Sequence, residues 1–459
     1  MNRLRYRVIF SQVRAMMMVV PDIARAGRAA VAGRSLKRVS SFLFTDTVPA
    51  RLSLSVLSFA ILLASGLVSA PVDARSVIHR DTSAPGNQQP NILTTANGLP
   101  QIDIQTPGAG GVSVNKYSQF DVDNRGAILN NSHKPVQTQQ GGWVTGNPHL
   151  ARSEASVIVN EVNSRNPSLL HGYVEVAGKR AQVVIANPSG ITCSGCGFIN
   201  ANKATLTTGQ VQMQNNRIAG YDVSRGDVVI QGKGLDTRDA TTTEIFARAV
   251  KLNAEIQAEE LTVVTGRNTI SSAEDGSVSA GSVTAKKDDG SAKPAFALDS
   301  SALGGMYANK ITFIGTEKGM GVNMEGDTAS MPGDIILTAD GTIRNKGSIA
   351  ASGAVNITSV HGDLVNQGRL KAQQTVSVKA SGQIRNTAAG YVTADHDIHM
   401  DAGSGVESNG RTYAAGSARV HTPGTITHNG SLVTGGDTTL TAGRLEAGHD
   451  SLLAAGADR

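Results

Sequence analysis

Aromatic residues are scarce in this sequence: they make up 4% of 459 residues and include a single tryptophan. That excludes a conventional globular core built on Phe, Tyr and Trp. Val, Ile, Leu, Ala and Thr must fill the interior instead, and most of these suit stacked strands. Cysteine is nearly absent. The only two, Cys193 and Cys196, are three positions apart with no second CxxC and no His at short spacing. They supply two of the four ligands a structural zinc takes, so no metal site is expected, and they read as a local disulfide or as free thiols. No nucleophile elbow or phosphate loop is present, and Gly319-Met320-Gly321 lacks the strand–helix setting of a dinucleotide site. No cofactor is expected. Glycine, by contrast, is abundant, with 51 residues. The chain is longer than a usual single compact core, so it predicts several domains or an elongated repeat.

A basic stripe is missing too, despite a pI of 9.2. Residues 1–74 carry ten Lys and Arg against Asp22, Asp46 and Asp73, a net of +7; subtracted from the chain's +5, this leaves −2 for the remainder. The excess positive charge belongs to one end, which argues against a nucleic-acid partner. Behind that basic region lies an uncharged, mostly apolar run, Leu52–Val68, followed by small residues. This is a targeting segment, 1–74, with cleavage expected after Ala74 and, as the alternative, after Ala70. Seventeen residues with several Ser and a Gly are short for a spanning helix, so no stable membrane span is expected after cleavage. Residues 75–90 are polar and read as a flexible start.

From Asn91 to about Gly266 short apolar runs alternate with turn residues, as in Ile102–Ile104, Val112–Val114, Ala181–Ile185 and Asp227–Ile230. Each is bounded by Gly, Asn, Pro or Asp, a strand pattern. Thr243–Ile256 has the best helical spacing but reads better as another strand. Residues 272–295 are polar and charged and read as a loop or frayed edge.

From Gly341 a period is explicit. Asn345, Asn366, Asn386, Asn409 and Asn429 close similar five-residue segments at spacings of 21, 20, 23 and 20. Alternating strands such as Ala354–Thr358 and Thr375–Lys379 follow. A repeat of about 20 residues holding two or three short strands is one coil of a parallel β-solenoid. The recurring Asn is expected in the turn, where it tolerates φ > 0 or bonds the next Asn in a ladder. A leucine-rich repeat would need dense Leu and usually a helix, and neither is present. The fold expected is therefore all-β: a right-handed parallel β-helix with an N-terminal β cap over Asn91–Phe120. At about 20 residues per coil from Asn91 onward, the rod would be roughly 80–90 Å long. The last residues still follow the repeat, which suggests a truncated product.

Three Asn-Pro turns precede these repeats: Asn147-Pro148-His149-Leu150, Asn166-Pro167 and Asn187-Pro188-Ser189-Gly190, with Asn spacings of 19 and 21. Pro fixes φ and Gly accepts φ > 0, so each reads as a tight turn between strands, in step around the coil. The first and third resemble the paired Asn-Pro-Asn-Leu and Asn-Pro-x-Gly turns of the secretion domain of filamentous hemagglutinins, the large exoproteins of Gram-negative two-partner secretion. His149 departs from that pattern, which usually has Asn. Tyr117–Phe120, Gly126–Asn131, Ile158–Val162, Ala302–Ala308 and Ile314–Gly319 are similar to further family segments. Met1–Arg3 with Tyr6–Phe10 resembles the extended signal peptides of large secreted passengers, departing at Ala15 and at Pro21-Asp22.

The resemblance implies a leader over 1–74, a two-partner secretion domain over 75–320 and hemagglutinin-type repeats over 321–459. It implies export through a cognate Omp85-type outer-membrane transporter with POTRA domains, to the medium or the cell surface. Asn147, Pro148, Asn187 and Pro188 are the expected export-critical turns, with Asn166-Pro167 third. Outside the cell the function expected is an adhesin for host-cell or bacterial receptors. The alternative is the stalk of a contact-dependent growth inhibition toxin. A β-helix polysaccharide-degrading enzyme is the least favoured reading. Its chemistry needs clustered carboxylates, and the pairs Asp121/Asp123, Glu259/Glu260 and Asp288/Asp289 read as solvated turns. In Asp395-His396-Asp397-His399 a single strand would point only three side chains one way. A self-contained autotransporter needs a terminal barrel with aromatic girdles, and residues 400–459 hold one Tyr and no Phe or Trp.

Overall fold

The computed structural model describes residues 6–11, 16–21, 76–273 and 276–456. The chain separates into two compact units, Met1–Ala70 and Pro71–Arg459. In the first, Tyr6–Ser11 and Met16–Pro21 pair as antiparallel strands. The apolar run Leu52–Val68 and both cleavage candidates, Ala70 and Ala74, lie outside the described residues. No helix among the described residues is long and apolar enough to cross a membrane.

The second unit is a parallel β-solenoid of thirteen coils. Each coil gives one strand to a first sheet, from Val112–Asp121 in coil 1 to Thr438–Thr441 in coil 13. The rest of each coil runs through a second, 25-stranded sheet. Identical register positions stack: Ile335, Val355, Val376 and Ile398 in the first sheet, and Ile343, Leu364, Ile384 and Val406 in the second. All eight are buried. The sequence produces this by alternation, as in Val355-Asn356-Ile357-Thr358-Ser359, where every second side chain points inward. Each Val, Ile or Leu so buried contributes about 1.5–3 kcal/mol. Thr243–Ile256 runs through the strands Thr242–Ala247 and Ala249–Leu252, as its β-branched content favours.

Three expectations are corrected. The polar start is not merely flexible: Val77–Arg80 pairs antiparallel with Tyr117–Asp121 and closes the open edge of the first sheet. The cap is this strand plus the antiparallel pair Asn91–Thr94 and Pro100–Asp103, while Val112–Asp121 already belongs to coil 1. Residues 272–295 are not wholly loop, because Val283–Ala285 is a strand. It completes a four-stranded antiparallel sheet with Gln210–Gln214, Arg217–Val223 and Asn268–Ser271.

This extra sheet consists of excursions out of coils 4 and 6. It lays Tyr221, Val223 and Ile270 on Val184, Phe246 and Val264 of the first sheet's outer face, making a second core. The Tyr221 and Phe246 rings meet at 5.1 Å between centroids. A further hairpin, Val136–Thr138 with Gly142–Val144, leaves between coils 1 and 2. Because these excursions consume chain without adding coils, the stack rises only about 60 Å at ~4.8 Å per coil.

Candidate functional site

Asn147 and Asn187 are built alike, each using its whole side-chain amide internally. The Asn147 Nδ2 donates to the Ile104 and Asn130 carbonyls, both at 2.9 Å, and its Oδ1 accepts from the His149 N–H at 2.9 Å. It thereby ties the cap to coil 1 and starts the 3-10 turn Pro148–Leu150, whose Leu150 enters the core. His149, where the family usually has Asn, bonds the Asn91 side chain through Nε2 at 2.9 Å, fastening the turn to the cap pair.

The Asn187 Nδ2 donates to the Asn166 carbonyl and the Ser168 hydroxyl, both at 2.9 Å, and its Oδ1 accepts from the Ser189 N–H at 2.9 Å. Its own N–H donates to Thr207 of coil 4. One residue therefore joins three coils. Gly190 closes this turn at φ +113°, where a Cβ would be strained. Asn147 and Asn187 are both buried, whereas Asn166 and Pro167 are exposed and contribute only backbone here. Asn166 and Asn187 stack in step at one corner of successive coils, but Asn147 does not join them. Asn147 lies before the first-sheet strand Val157–Val162 and Asn187 lies after the first-sheet strand Ala181–Ala186, at different corners of the coil.

The cysteines sit beyond the corner, within the strand Ile191–Ile199, not at it. They form a disulfide with Cα atoms 5.4 Å apart across a bulge at Ser194–Gly195. The repeat asparagines also differ from expectation. Asn345, Asn366 and Asn386 are buried at strand ends and form a ladder of Nδ2-to-Oδ1 bonds of 2.9 Å. None has positive φ; among described non-Gly residues only Asn200, Asn215 and Asn216 do. Asn409 and Asn429 continue one position out of register, with their own 2.9 Å bond. The ladder register passes instead to Ser408 and His428. The spacing of 23 between Asn386 and Asn409 is the trace of that slip.

Comparison with known proteins places these features. The model of the TPS secretion domain, the domain of two-partner secretion, matches residues 76–345. The chain belongs to the TPS secretion domain family. The Extended Signal Peptide of Type V secretion system matches residues 1–50. The crystal structure of the filamentous hemagglutinin secretion domain is similar at 26% identity and TM-score 0.50, over 81% of this chain and 99% of that one. Toxin CdiA of Yersinia pestis is 52% identical over 376 residues, 81% of this chain and 11% of that protein. The tRNA nuclease CdiA-2 of Burkholderia pseudomallei is 41% identical over 350 residues, 75% of this chain and 10% of that protein. The chain thus spans about a tenth of the length of these relatives. It is a two-partner-secreted protein of a Gram-negative cell, released or surface-exposed, served by a partner transporter of the TPS family.

The TPS domain has further structural polar residues that the sequence did not single out, Asn131 and Glu175 among them buried. Asn131 repeats the Asn147 device, donating to Ala155 and Lys179 carbonyls and accepting from the Ala155 N–H. Asn200, at φ 59°, donates to the Val176 and Gly178 carbonyls at the same corner of the next coils. Asn130-Asn131 directly follows Ala127-Ile128-Leu129, so polar residues ending an apolar strand were the available signal. Asn215-Asn216, both at positive φ, mark a hairpin turn that a search for primed turns would have found. Glu175 holds the hairpin after coil 1 by accepting from the Gln139 and Gln140 N–H groups.

Apart from Glu260, the paired acidic residues are engaged in structural contacts, Asp121 accepting from the Leu169 N–H. Asp123 accepts from Ser76 and Arg125, Asp288 pairs with Lys293 and Asp289 with Arg267, and Glu259 accepts from Asn309. Asp395 and His396 lie in a turn between Tyr391–Ala394 and Ile398–Ala402, so the four residues do not share one strand. No group of three or more ligating side chains occurs among the described residues.

Proposed function

We propose that this chain is the secretion domain and opening repeats of a contact-dependent growth inhibition toxin, the stalk that carries an effector out of the cell. The observation behind this reading is the 52% identity to Toxin CdiA of Yersinia pestis over 81% of the chain. The adhesin reading rests on the fold and 26% identity shared with the filamentous hemagglutinin secretion domain. In both readings the leader over 1–74 is removed and residues 75–320 engage an Omp85-type transporter through its POTRA domains. Residues 321–459 then begin the repeats.

Asn147-Pro148 and Asn187-Pro188 have two roles at different times. In the extended passenger their amides are free to meet the transporter, where strands can add to exposed edges. Once outside, the same amides are consumed by the bonds described above, and each new coil covers the edge of the last. Refolding at the surface opposes return.

The test is a chimera in which this chain replaces the matching N-terminal segment of the Yersinia pestis toxin, expressed with its transporter. Growth inhibition of target cells lacking immunity is expected. A chimera that reaches the surface and binds target cells, yet inhibits no better than an effector-less control, supports the adhesin instead.

A further inference from the structure

Coils 9, 10 and 11 place two columns of side chains on the outer face of the second sheet. Arg369, Tyr391 and Arg411 share one register position, and Lys371, Thr393 and Tyr413 share the position two residues on. Their neighbours Leu370, Val392 and Thr412 point inward and are buried, so both columns face out. The guanidinium carbons of Arg369 and Arg411 lie 5.8 and 5.5 Å from the Tyr391 ring centroid, one on each side. This contact holds two flexible cations in place while their N–H forks remain free. The Tyr413 ring beside them is 48% exposed.

Some cations elsewhere are neutralised by buried ion pairs, as in Arg248–Glu317 and Lys203–Glu244. Among the described residues, Arg369, Lys371 and Arg411 have no ion pair. Glu407, on the neighbouring strand of coil 11, faces Arg385 at 3.8 Å. Two like charges are therefore held two coils apart with the exposed Lys371 beside them, and among the described residues none of the three has an ion-pair partner. An anion would relieve that repulsion, and the exposed Tyr413 ring offers a flat apolar surface for a sugar.

We propose that this face binds a phosphorylated saccharide, and specifically the head of the outer-membrane lipopolysaccharide. Phosphates would sit against Arg369, Lys371 and Arg411 and a sugar ring against Tyr413, laying coils 9–11 along the Gram-negative surface where the chain works. This does not depend on whether the exported protein is a toxin stalk or an adhesin.

The test measures co-sedimentation of the secreted chain with phosphatidylcholine vesicles containing lipopolysaccharide, dephosphorylated lipopolysaccharide, or neither. Binding is expected only with the phosphorylated form and should weaken as salt rises. Arg369→Gln with Arg411→Gln should reduce it about 25-fold, taking about fivefold per cation at an anionic surface. Lys379→Gln with Arg419→Gln, on the first sheet's outer face, should leave it unchanged. Intact protease-resistance patterns in all variants separate lost binding from lost fold. Equal binding to dephosphorylated vesicles, an unaffected Arg369/Arg411 double variant, or binding confined to a soluble sulfated glycan would each overturn the proposal.

Discussion

Replacing Asn187 by Ala separates the two roles proposed for the asparagine turns. The change deletes two donated bonds and one accepted bond, all at 2.9 Å, from a side chain with 0% exposure. The Asn166 carbonyl is on an exposed residue and regains water, so its loss costs little. The Ser168 hydroxyl is buried and the Ser189 N–H half-buried; left unpaired, they cost about 2–3 kcal/mol together. Urea unfolding of the refolded chain should show that loss as a lower midpoint. Amide exchange at Ser189 should speed up by about a hundredfold at the upper end of that range. The comparison is Asn166→Ala, whose side chain is exposed and makes no hydrogen bond, and which should stay within about 0.5 kcal/mol of wild type. Secretion through the cognate transporter is then read for both. If Asn187→Ala unfolds at the wild-type midpoint, the hydrogen-bond reasoning is wrong. If Asn187→Ala is secreted normally at a temperature where it folds, the transporter does not read this turn.

Three further outcomes are expected. Asn366→Ala should destabilise more than Asn386→Ala. Asn366 both accepts from Asn345 and donates to Asn386, whereas the Asn386 donor reaches only the Arg411 carbonyl at 3.4 Å; equal thermal midpoints would discount the ladder. Cys193→Ser with Cys196→Ser should cost about 2 kcal/mol by loop entropy for so short a loop, and leave export intact. The same loss should follow from adding reductant to the wild type, and a loss of fold would contradict this. Acid should release the cap strand. Burial raises the Asp123 pKa, but hydrogen bonds from Arg125 and Ser76 outweigh it and hold the carboxyl below its usual 3.8. Its contribution is complete above the unfolded value near ~3.9 and is lost as pH falls through the depressed folded value. Proteolysis within Val77–Arg80 should rise below about pH 4, and Asp123→Asn should abolish that pH dependence. Unchanged cleavage from pH 6 to 2.5 would count against the anchor.

The alternation in Ala354–Thr358 and the 20-residue asparagine period identified a stacked parallel coil, because side-chain period and repeat length are properties of the chain itself. The basic leader identified an exported chain from its own composition, whereas the Asn-Pro motifs pointed to export only through their resemblance to the filamentous hemagglutinin secretion domain. The structure decided what depends on where distant segments land. Asn147 and Asn187 occupy different corners because the number of strands between two motifs, not their spacing, sets the corner. Asn345, Asn366 and Asn386 turned out to be inward rungs and not φ > 0 turn residues, since a strand end and a turn differ by one residue that a repeat alone does not locate. The antiparallel sheet over Tyr221 and Phe246 was hidden for a related reason. Its strands come from excursions far apart in sequence, and only the outer face of the finished stack gives their apolar side chains something to cover.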